Sequence, residues 1–87
     1  MAISNYTATT TSGEAVEANG NRSALVITNT GNIGVFLNIG GTAEVDKGIY
    51  LAAQGGVWVM DCNTFSQSNI TAITASSTSN LAIYELS

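Results

Sequence analysis

The apolar residues of this chain come in short runs, and turn-forming or polar segments end them. Ala24-Leu25-Val26-Ile27 gives way to Asn29-Thr30-Gly31-Asn32, and Val35–Ile39 to Gly40-Gly41. Ile49-Tyr50-Leu51 is followed by Gln54-Gly55-Gly56, and Val57–Met60 by the polar stretch Asp61–Asn69. Ile70–Ala75 and Leu81–Leu86 are separated by Ser76-Ser77-Thr78-Ser79-Asn80. Runs of this length are too short for amphipathic helices, which need about 10–12 residues, but they suit strands. Residue type points the same way. Val, Ile and Thr total 25 of the 87 residues, whereas Leu, Met, Glu, Gln, Lys and Arg total only 15; β-branched side chains favour the pleated sheet over the helix.

With a short candidate at Ala15–Ala18, ended by Asn19-Gly20-Asn21, this makes seven or eight short strands. The spacing predicts an all-β domain, a small antiparallel β-sandwich or barrel of jelly-roll or immunoglobulin-like type. A further short strand around Val45 is also open. Residues 13–87 read as one domain. Residues 1–12 read as an extended arm or an edge strand, because Ile3 and Tyr6 are the only large apolar residues between Ala2 and Thr11. Such an arm is expected to be ordered by pairing with another chain, with Ile3 and Tyr6 as anchors. The alternative is a first strand that closes its own sheet.

Alternation assigns the strand faces. Val35, Leu37 and Ile39 share one face of their strand, with Phe36 and Asn38 on the other. Val57 and Val59 lie opposite Trp58 and Met60. With the Val faces inward, the expected core is Leu25, Ile27, Val35, Leu37, Val57, Val59, Ile73, Leu81 and Ile83. Phe36 and Trp58 then look outward as a protein interface or a sugar-stacking platform. If loops cover both faces, neither is exposed.

Composition excludes several functions. Two cations, Arg22 and Lys47, cannot neutralise a run of phosphates, so no nucleic-acid partner is expected. There is no His and a single Cys, Cys62, so neither the usual zinc sites nor a His-based triad can be built. No stretch approaches the roughly 18 apolar residues of a membrane span, and no membrane partner is expected. Met1–Gly13 has neither the basic nor the apolar region of a secretory signal. Glu44 and Asp46 sit two apart and could seed a hard-cation site, but a solvated loop with Lys47 as counter-charge accounts for them. Cys62 reads as an inert small residue beside Asp61. Arg22, at the start of the strongest strand, is expected to pair with Glu85 or Glu17. The Asn-x-Ser/Thr triplets at Asn5, Asn21 and Asn69 are ordinary products of a chain so rich in these residues. No catalytic residue, metal or cofactor is expected.

From Arg22 onward the chain resembles small β-domains of bacteriophage virion proteins. The residues that carry the likeness are Arg22-Ser-Ala-Leu25-Val-Ile27-Thr-Asn29-Thr-Gly31, Val35-Phe36-Leu37-Asn-Ile39-Gly40, Gly48-Ile-Tyr-Leu51-Ala-Ala-Gln-Gly55-Gly56, Ile70-Thr-Ala72-Ile73 and Leu81-Ala-Ile83-Tyr-Glu85. Ala53-Gln54-Gly55 stands where such domains usually carry Pro. The resemblance implies a non-enzymatic capsid decoration (cement) protein, made in the host cytoplasm and placed on the capsid surface of the virion. Its partners would be the major capsid protein and copies of itself, with a trimer favoured. The candidate partner-binding residues are Ile3, Tyr6, Phe36, Trp58 and Tyr84. The alternative is a head- or tail-fibre module that binds a receptor or carbohydrate through Trp58, Phe36 and Tyr84.

Overall fold

Each short apolar run becomes a strand. In the computed structural model, which describes residues 2–60 and 66–86, the strands are β1 (Ala2–Ala8), β2 (Gly13–Val16), β3 (Ala24–Asn29), β4 (Val35–Ile39), β5 (Ile49–Leu51), β6 (Gly56–Val59), β7 (Ile70–Ile73) and β8 (Ser79–Leu86). They form two four-stranded sheets, the first in the order β1-β8-β3-β6 and the second β2-β7-β4-β5. All pairings are antiparallel. The pairs β1–β8, β2–β7, β3–β6 and β4–β5 are nested. The chain is thus one long hairpin, with its tip between β4 and β5, rolled into two layers. That is the jelly-roll form of the β-sandwich.

The core lies between the layers. Leu25, Ile27, Leu81, Ile83 and Ala8 from the first sheet meet Val16, Val35, Leu37, Leu51, Ile70 and Ala72 from the second, all buried. Six members of the expected core, Leu25, Ile27, Val35, Leu37, Leu81 and Ile83, are buried, and Ile39 packs beside them although only half-buried.

Two strand faces differ from expectation. On β6 the Val face points outward, with Val57 53% and Val59 57% exposed, while Trp58 packs on the core and Met60 just beyond it is buried. Register is the cause. Ile27 is inward and lies opposite Trp58, so Trp58 is inward too. An indole and a thioether remove more apolar area from water than two isopropyl groups, which favours this choice. On β7, Ile73 lies opposite Phe36 and shares its outer side, so it is only half-buried.

The segment Ala2–Ala8 is tied down within its own chain. It pairs with β8 of its own sheet through seven consecutive residues, Ala2↔Glu85 to Ala8↔Ser79. It is an edge strand that brings the two ends of the described chain together. Around Val45 there is a turn rather than a strand. The Lys47 amide donates to the Glu44 carbonyl at 3.3 Å, and Asp46 has φ 66°. The expectations for Asp61, Cys62 and Phe65 lie outside the described residues.

Candidate interaction surface

Alternation along the strands of the first sheet sends one set of side chains to the core and the other to solvent. The inward set is Leu25, Ile27 and Asn29 on β3, Ser79, Leu81 and Ile83 on β8, Tyr6 and Ala8 on β1, and Trp58 on β6. The outward set is therefore Ile3, Asn5 and Thr7, then Asn80, Ala82 and Tyr84, then Ala24, Val26 and Thr28, then Val57 and Val59. Register aligns part of this set into one row. Ile3 lies opposite Tyr84, Tyr84 opposite Val26, and Val26 opposite Val59. The adjacent row runs Asn5, Ala82, Thr28, Val57. Ile3 is 78% and Tyr84 38% exposed.

This face carries no charged side chain. The four strands contain a single charged residue, Glu85, and it lies opposite the inward Leu25, where its carboxylate meets the Arg22 guanidinium at 2.7 Å. Strand propensity does not require the apolar row. Thr serves a solvent-facing strand position well, and the chain uses it at Thr7 and Thr28 on the same face. The solvent side of an antiparallel sheet is ordinarily polar. From strand spacing and rise, a four-strand face of this length covers roughly 400 Å², of which the apolar row is one part and Asn5, Thr7, Thr28 and Asn80 another.

The outer face of the second sheet is different. Phe36 and Tyr50, cross-strand neighbours, stack with ring centroids 5.0 Å apart at a 44° tilt. The Tyr50 ring lies where a side chain on Gly34 would stand. The rings lie against one another and Tyr50 covers the glycine while itself 57% exposed, and Ile73 closes the row beside Phe36. Further along, Glu14 accepts a hydrogen bond from the Asn69 amide at 2.9 Å. The buried Thr71 hydroxyl donates to the Gly41 carbonyl at 2.6 Å.

The five sequence-predicted residues thus separate. Ile3 and Tyr84 stand side by side on the outer face of the first sheet. Phe36 is on the outer face of the second. Tyr6 and Trp58 turn inward against the core, and the Tyr6 hydroxyl fills the space beside Gly13 between β1 and β2. Val26 and Val59 complete the row and Val57 ends the adjacent one, and sequence reasoning missed all three as surface residues. The signal was present in Val57-Trp58-Val59-Met60, where both faces are apolar and only one can face the core.

The buried polar groups hold the scaffold rather than offer chemistry. Arg22, at 1% exposure, donates from Nε to Glu85, from Nη1 to the Ser66 and Ser68 carbonyls at 3.0 and 2.8 Å, and from Nη2 to the Glu17 carbonyl at 2.8 Å. Both expected Glu partners are engaged, Glu85 by its side chain and Glu17 by its backbone. Asn29 is fully buried. Its amide donates to the Ile33 and Leu51 carbonyls, and its oxygen accepts from the Gly31 amide and the Ser79 hydroxyl. Among the described residues no buried side-chain nitrogen or oxygen lacks a partner. No three acidic, Cys or His residues among them come together as metal ligands. Glu44 pairs with Lys47 at 3.4 Å in the open.

No protein-family model matches the chain, and neither a curated protein nor a solved structure does.

Proposed function

We propose that this is a non-enzymatic structural protein of a bacteriophage virion, a capsid decoration or cement protein that stabilises the head by binding the major capsid protein. The observation that carries the proposal is the uncharged outer face of the first sheet, with Ile3, Tyr84, Val26 and Val59 in one row. The jelly roll itself is shared by viral capsid and lectin domains, and a fold alone does not assign a function. Energetics agree with a repeated, lattice-borne contact. Burying roughly 400 Å² at about 25 cal/mol per Å² contributes at most about 10 kcal/mol. Association costs of about 4–15 kcal/mol consume most of that. One copy then binds weakly, and many copies on a lattice hold firmly.

The exposed Tyr50 beside Phe36 favours a second reading, a fibre module that stacks on a sugar. The 44° tilt between the rings leaves no flat two-ring platform, which places this reading second.

Titration onto particles lacking the protein tests both. Decoration predicts binding in hundreds of copies, lost when Val57→Lys and Val59→Lys are combined. Saturation at a dozen copies or fewer points to a fibre. Undiminished binding by the double variant removes the outer face from the mechanism.

A further inference from the structure

The two sheets end in four edge strands: β1 and β6 in the first, β2 and β5 in the second. Soluble β-proteins guard their edges with shortness, charge, Pro or a bulge. Three of these edges are guarded. β2 carries Glu14, and its register shifts between Glu14 and Val16. β5 has three residues and follows Lys47 closely, and β6 has four. β1 has none of these devices. It runs seven residues, Ala2-Ile3-Ser4-Asn5-Tyr6-Thr7-Ala8, without charge or Pro, in unbroken register with β8. Ile3, Ser4 and Asn5 are exposed in succession, on both faces of the strand.

We infer that β1 pairs antiparallel with β1 of a second copy about a twofold axis at Asn5, joining two first sheets into one of eight strands. Asn5 is the midpoint of β1, so this register uses the most residues. It is also self-complementary, as an isologous contact must be. Ile3 of one copy faces Thr7 of the other, Asn5 faces Asn5, and Ser4 faces Tyr6, so no charge meets a like charge. This matters for a chain of net charge −4. The acidic groups close to β1 are already engaged: Glu85, opposite Ala2, pairs with Arg22, and Glu14, next to the Gly13 that Tyr6 touches, accepts from the Asn69 amide. Pairing also makes the two outer faces continuous. Two faces of roughly 400 Å² reach the roughly 800 Å² per partner of a stable protein interface. The contact closes at two copies, unlike the trimer that the resemblance implies.

The test needs only the full chain in solution. Sedimentation equilibrium over a concentration series is expected to show a monomer–dimer equilibrium. Asn5→Lys puts two ammonium groups face to face at the axis and is expected to weaken the dimer by about tenfold or more. The melting temperature of the dilute chain should hold, because Asn5 is exposed. An equimolar mixture of Asn5→Lys and Asn5→Asp should restore the dimer as a heterodimer, an outcome specific to an axis through residue 5. A wild-type chain that stays monomeric at hundreds of micromolar overturns the inference. So does an Asn5→Lys chain that associates as tightly as wild type, or a mixture that gains nothing. Particles play no part here, so these failures leave the capsid proposal standing. Loss of decoration with the dimer intact, or the reverse, separates the two.

Discussion

At either end of β3 a polar side chain is buried, Arg22 just before the strand and Asn29 at its end. On the outer side of the same strand, Val26 stands in a row with Ile3, Tyr84 and Val59 on a face open to solvent. The polar groups are inside because distant segments converge on them. Arg22 gathers carbonyls from residues 17, 66 and 68 and the carboxylate of Glu85, and Asn29 ties together residues 31, 33, 51 and 79. Each is compensated where it lies, as burial of polar groups demands. On the outer face Ile3 is 78%, Val57 53% and Val59 57% exposed. The difference teaches that a buried polar group with every partner in place is architecture, whereas the exposed apolar row is the surface on which the proposed contact rests.

Removing β1 should have the largest effect. A chain beginning at Ser12 loses the strand that covers β8, along with Ala8 and Tyr6 from the core. Its thermal unfolding should shift down by many degrees or vanish, and a melting temperature equal to wild type would mean that β1 is dispensable to the fold. Arg22→Ala comes next. It leaves Glu85 and several carbonyls without a donor, and breaking a buried pair of this kind costs about 3–5 kcal/mol. Against the roughly 5–15 kcal/mol of stability usual for a small domain, that loss comes close to unfolding. Denaturant titration measures it, and a loss under about 1 kcal/mol would place Arg22 among ordinary surface pairs.

A smaller effect separates the two faces of β6. Trp58→Ala should cost about 2–4 kcal/mol, near the lower end for a large aromatic because the indole is only half-buried. Val59→Thr should stay within about 0.5 kcal/mol. If the order reverses, β6 presents its other face. Val57→Lys with Val59→Lys, two substitutions at exposed positions, should also have a small effect on stability, within about 1 kcal/mol. That same variant is the one expected to abolish particle binding, and a stable variant that still binds breaks the comparison at its functional end.

Much of this fold was legible in the residues. Period-two alternation and turn chemistry predict the segments that become β3 to β8, two of them with identical bounds, Val35–Ile39 and Ile49–Leu51. The inward sets Leu25 and Ile27, Val35 and Leu37, and Leu81 and Ile83 follow from the same alternation, because each opposes a more polar or mixed face. Of the candidate surface, Ile3 and Tyr84 were named from sequence, and Val26, Val57 and Val59 were not.

What the amino-acid sequence by itself determined was therefore local: which segments extend, where they turn, and which residues share a side. Only the tertiary structure decided which side looks inward where both are apolar. Val57-Trp58-Val59-Met60 takes its orientation from Ile27 across the sheet, and Ile73 from Phe36. Tertiary structure alone also buried Arg22 and Asn29, whose partners lie up to 63 residues away, and set Ala2–Ala8 beside β8 at the far end of the chain. The physical reason is the same throughout. Alternation is a property of neighbouring residues on one strand, whereas burial and hydrogen-bond satisfaction are set by what the rest of the fold brings opposite.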